Sequence, residues 1–365
     1  MTLAVNIAQS GSNNVTFRNR IINGAMTIAQ YGTSTALPTG SSNGFAADRF
    51  RGFNVGTGAC SIIQASNVPS STYGFINSVQ IDVTTADASI AAGELYMIRQ
   101  AIEGLNITDL AWGTANAKTI TLSFWVSSPK VGTHFVAFKN SAQDRCYAAS
   151  YSVSVADTWE FKTITVAGDQ SGTWLTTNGT GIQVTWALAV GSTYQTATAN
   201  VWAAGDGYAT SAQVNIMDST ANNFYITGVQ LEAGTTASPF EYRQTGTELA
   251  LCQRYLPAFR YNTSSTVIPA LTQFNSATTS RGYITFPVPT RVSVTGITIS
   301  SVSHFILLSY AGGSNTPNAF TMHQGGVNGA GVDVNFGSAV SADKNTGVVA
   351  IDNSAGYVYF TGAEL

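Results

Sequence analysis

Ile120-Thr121-Leu122-Ser123-Phe124-Trp125-Val126 decides the fold class. Ile120, Leu122, Phe124 and Val126 alternate with Thr121, Ser123 and Trp125, so one face of an extended segment is apolar throughout. In a strand successive side chains point to opposite faces, which places Trp125 opposite the apolar set. The same patterning recurs outward from this stretch at 161–166, 182–188, 214–217 and 224–231. Turn residues such as Gly168-Asp169 and Asn178-Gly179 separate the runs. Many short strands at regular spacing predict an all-β protein, a jelly-roll β-sandwich.

One segment has a different period. Thr245 and Glu248 have capping-box spacing, Leu249, Cys252 and Leu256 share a helical face, and Pro257 stops the run. A linker helix is therefore expected over 245–257. It divides a jelly roll over 31–244 from a second, smaller β-sandwich over 258–365, and residues 1–30 read as a separate lead-in. In the later part, 282–289 reads as a strand that ends at Pro287 and Pro289, which favours a sheet edge. Residues 325–331 read as a glycine-rich loop, and Tyr357-Val358-Tyr359-Phe360 as a closing strand.

Charge is the outlier in composition. Only 10% of residues are Asp, Glu, Lys or Arg, against about 25% in an ordinary soluble domain. With a net charge of −3 and abundant β-branched and aromatic residues, the chain reads as ordered, with a neutral hydroxyl- and amide-rich surface. Scattered basic residues disfavour nucleic acid. No apolar run is long enough for a membrane span, so no membrane insertion is expected. Cys60, Cys146 and Cys252 are too far apart for a metal motif and read as buried thiols of a protein made in a reducing cytoplasm.

Catalytic signals are weak. Asp82, Asp87, Glu94, Glu103, Asp109, Glu160, Asp169 and Asp206 offer carboxylates, but no motif pairs any two of them for glycoside hydrolysis. The histidines are isolated, and Gly40-Ser41-Ser42-Asn43-Gly44 matches GxSxG without a strand-turn-helix context. No catalytic residue is expected and no cofactor is required. Calcium is the ion that the oxygen donors would suit, with Asn23, Asp48 and Glu232 as candidate ligands. Aromatic residues give the stronger binding signal, because sugar rings stack on flat aromatic faces. Trp125 faces away from the core. Trp202 precedes a loop, and Tyr225 lies in an alternating run. These three are the candidate carbohydrate-binding residues.

Several strings resemble bacteriophage and prophage tail-fibre proteins. They include Arg18-Asn19-Arg20-Ile21-Ile22-Asn23-Gly24-Ala25-Met26, Ala47-Asp48-Arg49-Phe50 and Gly228-Val229-Gln230-Leu231-Glu232-Ala233-Gly234. Pro239-Phe240-Glu241-Tyr242-Arg243 and Glu248-Leu249-Ala250-Leu251-Cys252-Gln253-Arg254-Tyr255 continue the likeness, which spans nearly the whole chain. The family usually has Tyr-Tyr after Gln-Arg, where this chain has Tyr255-Leu256. The resemblance implies a non-catalytic, carbohydrate-binding-module-like jelly roll, a tail-attachment role for 1–30 and a distal tip over 258–365. It also implies a homotrimer on the virion, with other tail proteins and a host-surface polysaccharide as partners. A glycan depolymerase and a purely structural baseplate or fibre-adaptor protein are the alternatives.

Overall fold

The computed structural model describes residues 17–260, 266–309, 313–340, 346–351 and 353–365. The chain divides into two compact units, residues 1–245 and 246–365. The first holds β1 (Ser34–Leu37), β2 (Gly40–Phe45), β3 (Arg51–Gly56), β4 (Ala59–Ala65), β5 (Ser78–Thr85), β6 (Leu95–Glu103) and β7 (Ile120–Ser127). It continues with β8 (Gly132–Lys139), β9 (Arg145–Val153), β10 (Glu160–Val166), β11 (Thr180–Val190), β12 (Trp202–Ala204) and β13 (Asn223–Ala233).

These strands form two antiparallel sheets, ordered β1-β4-β5-β13-β7-β10 and β12-β9-β8-β11-β6-β3-β2. The chain passes repeatedly from one sheet to the other, giving a jelly-roll sandwich. Ile120, Leu122, Phe124 and Val126 of β7 are wholly buried, and Ile182, Val184, Trp186 and Leu188 of β11 enter the same core. Phe124 meets Trp186 edge-on, with ring centroids 5.7 Å apart. Each such side chain contributes roughly 1.5–3 kcal/mol by leaving water, which fixes the inward face of every strand.

Two expectations for this unit are corrected. Residues 1–16 lie outside the described residues, but 17–30 are not a separate lead-in. Ile21 and Met26 are fully buried in the main core, and Asn19 and Asn23 are buried with them. Residues 214–217 do not form a strand. Asn215 instead caps a 3-10 turn, Ile216–Asp218, by accepting from the Met217 amide.

In the second unit, α1 (Thr245–Gln253) is followed by a tight turn. The Tyr255 and Leu256 amides both donate to the Cys252 carbonyl ahead of Pro257. A three-stranded sheet follows, β14 (Ala258–Arg260) and β17 (Gly296–Ile299) flanking β23 (Tyr357–Thr361). Beside it stands a seven-stranded sheet. Its members in chain order are β15 (Thr266–Ser276), β16 (Thr279–Thr285), β18 (Phe305–Ser309), β19 (Gly313–Asn315), β20 (Ala319–Gly325), β21 (Gly329–Asn335) and β22 (Thr346–Ile351). Phe274, Phe305, Phe320, Val332 and Phe360 draw on both sheets for one core, so this unit too is a β-sandwich.

Here the proline-tipped segment is not an edge. β16 stops at Thr285, before Pro287, and pairs on both sides, with β15 and β21. The prolines therefore meet no ladder hydrogen bond. The glycine-rich stretch 325–331 is a hairpin joining β20 to β21, in which the Gly326 amide donates to the Gly329 carbonyl.

Candidate functional site

The outer face of the first sheet carries the site. On β7, Thr121, Ser123, Trp125 and Ser127 face outward. Register places Phe161 of β10 on one side of Trp125 and Thr227 of β13 on the other. The Trp125 ring lies 5.4 Å from Phe161 and 4.4 Å from Tyr73. Tyr73 sits at the end of a 3-10 turn, Ser71–Tyr73, capped by Ser70 and closed by Gly74 in the left-handed region. Phe75, Phe240 and Tyr242 form a second ring cluster, with centroid separations of 4.8–5.5 Å. The Tyr242 hydroxyl donates to the Tyr73 carbonyl and joins the two clusters. Burial pushes the Tyr242 hydroxyl above its usual pKa, so it stays a protonated donor across the neutral range.

Together these residues, with Ser123, Gly228, Ser238 and Pro239, line a pocket of about 640 Å³. Its rings stay open to solvent: Tyr73 is 48% exposed, Phe161 49% and Tyr242 55%. Exposed rings clustered on one face are the kind of apolar patch that binding sites use. Tyr225 extends the surface. It faces outward on β13 opposite Ser127, and its ring lies 6.1 Å from Trp159, whose indole nitrogen donates to Asn67.

The wall formed by 238–242 is fixed by polar bonds. Glu232 accepts from the Ser238 amide and hydroxyl, at 2.8 and 2.6 Å, and from Gln230. Gln230 in turn accepts from the Glu241 amide. Glu241 holds the Phe17 and Asn19 amides, and Arg243 donates to the Asn19 and Ile21 carbonyls. The strings at 18–26 and 239–243 are thus two sides of one hydrogen-bonded lock.

The sequence-expected residues separate accordingly. Trp125 and Tyr225 fall on the same outer face. Trp202 does not, and it is no exposed platform. Its ring is wedged between Trp112, Trp174 and Tyr147 at 5.2–5.5 Å, and its indole nitrogen donates to the Ala167 carbonyl. Of the calcium candidates, Asn23 and Asp48 come together. Asn23 donates to the Ile28 and Asp48 carbonyls, and both Asp48 oxygens accept from Gln30. Glu232 is occupied at the pocket wall. Among the described residues, no group of three His, Cys, Asp or Glu side chains converges as a metal site.

Several of the carboxylates considered for catalysis hold structural bonds. Asp169 grips Arg145 with two 2.7 Å bonds, Asp109 meets Arg20, and Asp87 accepts from Tyr96. Gly40–Phe45 is a strand, not a nucleophile elbow. The three cysteines are buried and form no disulfide with one another, and burial pushes the Cys60 thiol up to about 12. Sequence reasoning missed Tyr73, Phe161, Phe240 and Tyr242. The alternation of β10 gave a signal for Phe161, whereas the other three come from turns and the 238–242 segment, which have no period.

This is an all-β, two-sandwich protein with an aromatic pocket on one sheet face. No family model and no curated protein matches the chain. Among solved structures it is similar to the enzymatically active domain of tailspike protein 4 of bacteriophage CBA120, at 10% identity and a TM-score of 0.29. That match covers 60% of this chain and 22% of the tailspike chain. A second similar structure is TmCBM61 in complex with β-1,4-galactotriose, at 11% identity, covering 60% and 99% of the two chains, with a TM-score of 0.27. A third is a family 11 carbohydrate-binding module from Clostridium thermocellum, at 10% identity, covering 52% and 91%, with a TM-score of 0.27.

Proposed function

We propose that this protein is a non-catalytic glycan-binding component of a phage tail that attaches to a host-surface polysaccharide through the Trp125 pocket. One observation carries the binding role. Trp125, Phe161, Tyr73 and Tyr242 line a wide pocket on a rigid sheet face, with the Ser123 and Ser238 side chains beside them. Aromatic faces stack on the apolar faces of sugar rings, while neighbouring hydroxyls and carbonyls satisfy the sugar hydroxyls. The tail assignment rests on the strings at 18–26, 47–50, 228–234 and 239–255. A homotrimer, with other tail proteins beside it, would present several such pockets and multiply a weak contact through multivalency.

The test is adsorption of the purified protein to host cells and to their extracted polysaccharide. Saturable binding without polymer shortening is the expected result. Trp125→Ala should weaken it about tenfold or more, as loss of a central aromatic anchor does. Released oligosaccharide would overturn the non-catalytic assignment. Binding indifferent to Trp125→Ala would remove the pocket from the account.

A further inference from the structure

The Trp125 pocket is walled at both ends along β7. At one end stand Tyr73, Trp125 and Phe161, a row of rings that runs from the β4–β5 loop across β7 to β10. A second row stands behind it. Trp159, just before β10, donates its indole N–H to the Asn67 side chain in the β4–β5 loop, at 3.1 Å. Asn67 lies beside the start of β5, since its carbonyl accepts from the Ser78 hydroxyl. The sheet order there is β5-β13-β7-β10. The Trp159–Asn67 bond therefore passes over β13 and β7, a width of about 14 Å at ordinary strand spacing. The Tyr225 ring on β13 packs against Trp159, and Ser127 of β7, on the same face, is only 3% exposed. A sugar chain lying along β7 meets this double row and stops at Trp125.

The opposite end is closed by Ser238 and Pro239. Glu232, paired with Thr121 one step beyond Ser123, fixes that wall by accepting from Ser238. The β13 flank is closed as well. Phe75 packs over Gly228, and the Thr227 hydroxyl donates to the Asn77 carbonyl of the β4–β5 loop. On the other flank β10 is the edge strand, and its Thr163, paired with Ser123, is exposed. The pocket thus opens outward and over the β10 edge. No charged side chain lines it, so nothing there would offset the desolvation of an acidic sugar.

We infer that the pocket takes the terminal residues of an uncharged glycan, a chain end or side branch entering over the β10 edge, and not the interior of a chain. This rests on the glycan-binding function proposed above. A sugar ring that enters end-on stacks against Trp125 or Phe161, with the Ser123 and Ser238 hydroxyls beside it. Residues further from the terminus lie in solvent beyond Thr163 and add little. In an open groove, each further stacked ring would instead add up to about tenfold in affinity.

The test is calorimetric titration of the full chain with neutral fragments of two, four and eight sugar residues, separated by length from the extracted host polysaccharide. The disaccharide should bind within about threefold of the octasaccharide, and Trp125→Ala should weaken both about tenfold or more. Trp159→Ala should affect the two lengths equally, because Trp159 stands outside the pocket. A selective loss for the octasaccharide would make Trp159 a stacking position of an open groove and overturn the end wall. An octasaccharide bound more than about tenfold tighter than the disaccharide overturns end-on entry and leaves the pocket a glycan site. Acidic fragments that bind as tightly as neutral ones of equal length overturn the uncharged class. Failure of the intact polysaccharide to adsorb overturns the glycan-binding function itself.

Discussion

Asn19 shows how much of this fold hangs on single polar side chains. It is 5% exposed. Its side-chain nitrogen donates to the Val229 carbonyl, its side-chain oxygen accepts from the Ile21 and Leu231 amides, and its own amide donates to Glu241. Asn19→Ala orphans three buried backbone groups and should lower stability by about 3 kcal/mol, measured as a shift in the denaturant midpoint. A loss under about 1 kcal/mol would mean that the lock between 18–26 and 239–243 contributes little. Asp48 belongs to the same class. Because both its oxygens already accept from Gln30, calcium should leave the melting temperature unchanged. A calcium-dependent rise lost in Asp48→Asn would restore Asn23 and Asp48 as ligands. At this scale the sequence was partly legible. Trp125 could be oriented because alternation along one strand settles it. Trp202 could not, because Trp112, Trp174 and Tyr147 reach it from distant strands and loops, and no local pattern encodes that meeting.

Elements whose apolar and polar residues alternate were the readable ones. β7, β10, β11 and β13 all contain the stretches marked by period two, since one buried face imposes that pattern directly. Misreadings arose where backbone bonding, not burial, decides. The 3-10 turn at 216–218 follows from the Asn215 cap, β16 gains its second partner from the distant β21, and the 325–331 glycines serve a tight hairpin. β13 hides the most consequential irregularity. Its pairing with β7 shifts register between Thr227 and Gln230, and Gly228 there has φ +60°. A β-carbon at Gly228 would lie 2.6 Å from the Phe75 ring. The bulge therefore both reopens the strand's register and seats Phe75 in the pocket. Gly228→Ala should cost about 1–3 kcal/mol through strain at positive φ. It should also weaken polysaccharide binding, because Phe75 must move away from Phe240 and Tyr242. Unchanged melting together with unchanged binding would show that the bulge does not shape the pocket.

Across the whole molecule, a chain this poor in charge concentrates its pH response in a few buried groups. Lys139 is the clearest, with a side chain that has no exposed surface. Its ammonium meets Asp206, a carboxylate that is 37% exposed. Burial, with Arg99 adding like charge, brings Lys139 down to about 7. The unfolded chain holds the same proton until about pH 10.4. Between those values the unfolded state binds more protons, so the Lys139 contribution rises with pH. It is fully present above about 10.4, and it is lost as pH falls through about 7. The slope approaches about 1.4 kcal/mol per pH unit. His134, held low chiefly by burial, acts in the same direction in more acidic solution. Cys60, pushed up to about 12, acts in reverse once unfolded thiols ionise near pH 8.5. The interval from about pH 7 to 8.5 therefore isolates Lys139. Denaturant unfolding across it should show stability rising with pH in the native chain and a flatter profile in Lys139→Met. Parallel profiles for the two proteins would mean that Asp206 neutralises Lys139 fully.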